Sequence, residues 1–250
     1  MPSSEELQRH LKDLCRRAEK TGSYVYSAFL TPAEQSDFEK DPPACGIGWS
    51  FWGGTDGAER RLLICGSERD FGYEAEPPAV ILRIRPVSEK FSEDLTHRDY
   101  LGGLLSLGIE RSMIGDILIR EKEAYAVCLN GIADYLCGAL ERVRRTAVKA
   151  ERVSADIPAL APRFETLRLN LASERLDALI SAFCGLSRGH VQPLFAAERV
   201  FVDGRVVKDG SRRIKEGETV SVRGFGKAVY DGVLGETKKG RLSVSLRRYC

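Results

Sequence analysis

Phosphate recognition is the chemistry best supported by the residue types and spacings of this chain. Ser187 and Arg188 stand directly ahead of Val191, Leu194 and Phe195, whose spacing is helical. A serine at a helix N-cap leaves the first amides of the helix pointing outward, and those amides and the helix dipole favour an anion. Arg188 adds a planar fork that matches two phosphate oxygens. Gln192 follows one turn later. Arg175 and Arg199 are placed to flank the same groove, and Lys208, Arg212, Arg213 and Lys215 extend the positive surface. Arg223, Lys227, Lys238 and Lys239 carry it toward the C-terminal end. Many such contacts together give an affinity that falls as salt rises. Arg175 and Asp177 have a structural use of equal merit, as partners of each other or as helix caps.

Catalytic and cofactor patterns are not evident. Gly224-Phe225-Gly226 lacks the third glycine and the βαβ context of a dinucleotide site, and there is no G-x-x-x-x-G-K-[ST] loop. His97 could serve as a general base, but Asp99 beside it fits a helix-cap role more simply. His97 and Arg98, at a helix start, are instead a candidate secondary RNA contact. Seven cysteines without a C-x-x-C pair suit scattered reduced thiols, and three scattered histidines supply no zinc pattern. No catalytic residue, metal or cofactor is expected.

The elements that must position these cations follow from composition and periodicity. The 250 residues suggest two or three domains, and 43% hydrophobic with 30% charged residues is ordinary for a folded protein. No apolar run approaches the roughly 20 residues of a membrane-spanning helix, so no membrane partner is expected. The polar, acidic start resembles no secretory signal, which makes the cytoplasm the expected compartment. Charge is uneven: residues 163–250 hold 17 basic and 10 acidic residues, while the remainder holds 21 and 26. A C-terminal region at net +7 beside a remainder at net −5 is an electrostatic footprint for a polyanion.

The fold class expected is α+β in three units. A small N-terminal α/β unit, 1–78, has a helix over 4–20 and strands over 46–51 and 61–65. A middle unit, 79–154, has strands over 79–86, 116–119, 124–129 and 146–153. Its helices follow Thr96 and cover 131–140. That order, β-α-β-β-α-β, is the ferredoxin-like arrangement shared by RNA-recognition motifs, though without their aromatic ladder. The stretch 154–162 reads as a linker. In the C-terminal unit, 164–250, Ser173 is expected to cap one helix and Ser187 a second. Asp203-Gly204 turns a hairpin, 218–222 is a strand, and a longer hairpin pairs 227–235 with 241–248.

The ordered blocks Arg175-Leu176-Asp177, Ser187-Arg188 and Val200-Phe201-Val202-Asp203-Gly204-Arg205-Val206-Val207 resemble the S4-type RNA-binding domain. Asp203 stands where that family often has asparagine, and Gly189-His190-Val191-Gln192 departs from its usual second helix. Arg223-Gly224-Phe225-Gly226-Lys227, the 235–241 turn, Leu95-Thr96-His97-Arg98-Asp99 and Phe29-Leu30-Thr31-Pro32 extend the likeness to the bacterial YlmH proteins over nearly the whole chain. The resemblance implies a non-enzymatic protein that binds ribosomal RNA and tRNA on the large ribosomal subunit. The role it implies is quality control of stalled peptidyl-tRNA complexes, with a link to cell-division proteins. A monomer is expected. The alternative readings are an RNA-modifying enzyme, since Arg175-Leu176-Asp177 also resembles the catalytic triplet of pseudouridine synthases, and an adaptor for division proteins.

Overall fold

The computed structural model describes residues 3–154, 160–161, 163–238 and 240–249. It divides into two compact units, Met1–Ala161 and Pro162–Cys250.

The first unit opens with α1, Ser4–Thr21, fixed at its start by a reciprocal Ser3–Glu6 capping box and ended at Gly22 (φ 63°). Leu11, Leu14, Cys15 and Ala18 form its buried stripe. Then come β1, Val25–Leu30, and α2, Pro32–Lys40, whose Thr31–Glu34 box and leading proline set its start. After them stand β2, Trp49–Trp52, β3, Arg61–Cys65, and the single turn α3, Glu68–Phe71. The three strands form an antiparallel sheet in the order β1-β3-β2. Neither β1 nor α2 is among the elements expected from the sequence, although Thr31-Pro32-Ala33-Glu34 carries a helix-start signal.

The next strands and helices are β4, Ala79–Pro86; α4, His97–Leu105; β5, Ile114–Arg120; β6, Glu123–Leu129; α5, Asn130–Ala139; β7, Arg142–Val143; and β8, Thr146–Val153. Thr96 caps α4 with Asp99 as its reciprocal partner, the Thr96 amide donating to Oδ2 at 2.8 Å. The sheet order β5-β6-β4-β8-β7, antiparallel throughout, is ferredoxin-like with one short added edge strand. Tyr100, Leu104, Ala133 and Leu136 of the two helices cover one sheet face, packing with Leu82, Ile84, Ala124 and Ala126. On the other face Ile81, Tyr125 and Val127 pack against Phe29 and Leu62 of the first sheet. Gly115 lets the two sheets close, since a Cβ there would lie 2.9 Å from the Phe29 ring and 3.1 Å from Val127. Arg60 fastens the contact by donating from Nη2 to the Phe29 carbonyl at 2.7 Å and from Nε to the Ile114 carbonyl at 3.2 Å.

The second unit holds β9, Phe164–Leu171; α6, Leu176–Cys184; α7, Arg188–Ala196; β10, Val200–Val202; β11, Arg205–Val206; β12, Thr219–Val222; β13, Gly226–Glu236; and β14, Leu242–Tyr249. Its six strands run in the order β11-β10-β12-β13-β14-β9. Asp203 (φ 50°) and Gly204 (φ 79°) make the left-handed pair that a tight hairpin requires. The helices bury Leu176, Leu179, Ile180, Val191, Leu194 and Phe195 against Val200, Val202, Val220, Val222, Tyr230, Val244 and Leu246 of the sheet. Edge strand β9 is a further element that the sequence reading lacks.

One expectation is corrected. Ser173 does not cap α6. The helix starts at Leu176, with Arg175 extended ahead of it and bridged to Arg213. The Leu176 and Asp177 amides donate to the Arg212 and Gly210 carbonyls at 2.8 and 2.9 Å, so a distant loop does the work of a cap. The linker expected over 154–162 lies largely outside the described residues.

Candidate nucleic-acid interface

Ser187 is the N-cap residue of α7, in extended conformation (φ −69°, ψ 155°). Its hydroxyl does not bond a helix amide; it bonds Nδ1 of His190 at 2.8 Å. The Ser187 carbonyl accepts from the His190 and Val191 amides, which starts the helix. Arg188 and Gln192 follow at i and i+4, so they share a helix face, and both are exposed.

The other helix start works differently. Arg175 grips the Asp177 carboxylate bidentately, at 3.1 Å from Nε and 2.8 Å from Nη2. Asp177 is only 7% exposed. The Arg175 hydrogen bonds hold its carboxyl below the ordinary carboxylate range, against the opposing effect of burial.

The remaining cations sort into two groups. Arg212 bonds the Glu218 carboxylate, which also accepts the Lys215 amide at 2.8 Å. Arg213 bonds Glu174 from Nε at 2.9 Å, and the Tyr230 hydroxyl donates to the same carboxylate at 3.0 Å. Glu174 is thereby held below the ordinary range, chiefly by Arg213. Lys208 pairs with Glu198 at 2.7 Å. By contrast, the side chains of Arg188, Lys215 and Lys238 make no ion pair among the described residues and are exposed.

Arg199 and Arg223 are tied together: Arg199 Nη2 donates to the Arg223 carbonyl at 2.6 Å, and the Arg223 amide returns a bond to the Arg199 carbonyl at 2.9 Å. The Arg223 guanidinium lies 4.9 Å from the Phe201 ring centroid. Lys227 sets its ammonium 5.0 Å from the Tyr249 ring. Lys239 lies outside the described residues. His97 and Arg98 occupy the first turn of α4 in the first unit and are exposed. The structure thus gathers Arg175, Lys208, Arg212 and Arg213 into ion pairs that stabilise the S4-type fold, while Arg188 and Lys215 present their charge outward. Phe164 and Tyr249 are not among the candidate contacts expected from the sequence. The alternation of Phe164, Thr166 and Arg168, and of Ser245, Arg247 and Tyr249, was the available signal.

Comparison with known proteins agrees with this layout. Residues 79–156 match the domain described as "Putative RNA-binding domain in YlmH", and residues 174–220 match the S4 domain. The "Ribosome-associated protein quality control protein P2" of Bacillus subtilis (strain 168) is 30% identical over 221 residues, 88% of this chain and 85% of that protein. The chain belongs to the YlmH family. Among solved structures, "Cell division protein ylmH from Streptococcus pneumoniae" is similar at a TM-score of 0.49 and 21% identity, over 62% of this chain and 93% of that one.

In this YlmH-family chain the S4 match spans both helices and the Asp203-Gly204 hairpin. It leaves out β9, β13 and β14, which extend the sheet. The α+β class with an S4 domain at the C-terminal end is as the sequence suggests. No helix of the described residues is long and apolar enough to cross a membrane. Among the described residues no group of three or more His, Cys, Asp or Glu side chains is arranged to hold a metal.

Proposed function

We propose that this chain is a non-enzymatic protein that grips ribosomal RNA and tRNA on the large ribosomal subunit, in quality control of stalled peptidyl-tRNA complexes. The observation that carries the reading is the outward charge of Arg188 and Lys215 on an S4 domain in which Arg175, Lys208, Arg212 and Arg213 are held in ion pairs. The name of the Bacillus subtilis relative, a ribosome-associated quality control protein, supports the setting. Arg188, Ser187 and Gln192 form the core of the contact, with Lys215, Arg199, Arg223 and Lys238 at its borders and Lys227 and Lys239 beyond. Arg175, Lys208, Arg212 and Arg213 contribute field and shape. His97 and Arg98 are a secondary contact. The working division of the chain is 1–78, 79–154 and 164–250, acting as a monomer in the cytoplasm.

A binding role also fits the fate of Arg175-Leu176-Asp177. The Asp177 carboxylate is buried, bonded by Arg175 and placed at the start of α6, so the triplet has a structural task. The reading is tested by filter binding of the full chain to ribosomal RNA and tRNA at two salt concentrations, and by sedimentation with large subunits. Arg188→Ala combined with Lys215→Ala should weaken binding about tenfold or more and lower the salt slope by about two, with the thermal midpoint nearly retained. Wild-type binding that ignores salt, or full co-sedimentation of the double variant, would overturn it.

A further inference from the structure

The sheet of the second unit has a face that its helices do not touch, and the strand register shows what stands on it. Val200, Val202, Val220 and Val222 point to the helices and the core. Phe201 therefore points the other way, and it pairs across with Ser221, which pairs with Lys227. From Lys227 the row continues to Tyr249, whose ring lies 5.0 Å from the ammonium, and Tyr249 pairs with Phe164 on β9. One cross-strand row thus carries an aromatic, a cation and two more aromatics. The Phe164 and Tyr249 rings are 4.7 Å apart, and the Arg247 guanidinium lies 5.1 Å from the Phe164 centroid. Phe164 is 38% exposed. Phe201 is buried, but the exposed Arg223 guanidinium lies over it and offers its own plane instead.

We propose that this outer face binds unpaired RNA bases, with Phe164, Tyr249 and Arg223 as stacking surfaces and Lys227 and Arg247 contacting the backbone phosphates. The inference rests on the RNA-binding reading above and extends it to a second surface, since the helices carrying Arg188 and Gln192 pack on the opposite face of the sheet. The class of ligand follows from the chemistry. Aromatic rings and guanidinium planes stack on bases only where the bases are unpaired, because a duplex keeps its base faces inside. Cations interleaved at about 5 Å with the rings suit a ligand in which anionic and flat apolar groups alternate. The unit's net +7 selects a polyanion over an apolar peptide. Of this face only Phe201 lies within the S4 match; Phe164, Ser221, Arg223, Lys227, Arg247 and Tyr249 lie outside it.

The test is fluorescence anisotropy of the full chain with two probes, a uridine oligonucleotide of about twelve nucleotides and an RNA hairpin with a fully paired stem closed by a compact, internally stacked tetraloop. The variant Phe164→Leu with Tyr249→Leu keeps apolar packing and removes the π-faces. It should weaken oligonucleotide binding by about five- to a hundredfold and leave the hairpin within about twofold. Phe164→Trp should bind the oligonucleotide as the wild type does. Arg188→Ala with Lys215→Ala should show the converse preference. Unchanged oligonucleotide binding by the leucine pair, or a wild type that binds the hairpin and not the oligonucleotide, overturns this inference and leaves the helix-side reading standing. A wild type that binds neither probe overturns both. Should the leucine pair fail to fold, 4-thiouridine cross-linking of the unaltered protein decides: adducts within 164–168 and 242–249 are expected, and adducts confined to 187–215 overturn it.

Discussion

The two larger sheets of this protein are built alike and presented differently. Each is antiparallel, and each has a pair of helices packed on one face. In the sheet β5-β6-β4-β8-β7 part of the opposite face is covered: Ile81, Tyr125 and Val127 lie under Phe29 and Leu62 of the N-terminal sheet, while Arg85 and Lys149 further along stay exposed. In the sheet that ends at β9, the opposite face carries Phe164, Lys227 and Arg247 among its residues. A β-α-β-β-α-β order invites the expectation of bases stacked on the sheet, as in RNA-recognition motifs. Here that face holds the N-terminal sheet in place. Strand order alone does not fix a binding surface; what covers each face does.

The strongest way to break this comparison is to attack the buried face. Phe29 is 1% exposed and sits against Gly115 and Val127. Phe29→Ala should cost about 3–5 kcal/mol of the first unit's stability, read by chemical denaturation. Phe164→Leu on the other sheet should cost about 0.5 kcal/mol or less. Equal effects at the two positions would mean the two faces are not differently covered.

A second contrast lies within the C-terminal unit, between engaged and outward cations. Asp177→Asn removes the negative charge and one of the two oxygens that Arg175 grips, at a site 7% exposed, and should cost about 1–3 kcal/mol in a thermal melt. Arg188→Ala should change stability by about 0.5 kcal/mol or less, yet lower the salt slope of RNA binding by about one. If Arg188→Ala instead unfolds the unit, Arg188 belongs with the structural cations.

Much of the frame was legible in the sequence. Strands β3, β4 and β8 match their expected bounds, and the Thr96–Asp99 box and the Asp203-Gly204 turn form as written. These features are local: alternation, a reciprocal cap, a left-handed pair. The missed features depend on distant partners. In α2, Gln35 is buried because its amide donates to the carbonyls of Leu30 and of Glu59, 24 residues away. The start of α6 moved from Ser173 to Leu176 because its amides find Gly210 and Arg212. The candidate site divides the same way. Cation identity was readable, but Glu174, Glu198 and Glu218 decide which cations are engaged, and only tertiary structure shows where they stand.

Acid should act on the engaged pairs before the outward cations. Asp177 and Glu174 are held below their ordinary values by Arg175 and Arg213. Folding is therefore stabilised by these groups above the unfolded carboxylate range, near pH 4, and that stabilisation is lost as pH falls through the lower folded values. Thermal melts from pH 6 downward should show a midpoint that is level at first and then falls below about pH 4. In Asp177→Asn that fall should be shallower. A wild-type midpoint that rises on acidification would remove these pairs from the account.

The smallest effect expected is at the hairpin turn. Asp203 occupies the left-handed region at φ 50°, and its Oδ1 accepts the Thr219 amide at 2.8 Å. Asparagine tolerates the same backbone and keeps a side-chain carbonyl for that amide. Asp203→Asn should therefore change stability by about 0.5 kcal/mol or less. It also removes a negative charge from the basic C-terminal unit, so RNA affinity at low salt should rise by a small factor that vanishes as salt is raised. A rise that persists at high salt would mean the side chain at 203 touches RNA directly, and the contact surface would then extend from α7 onto the hairpin.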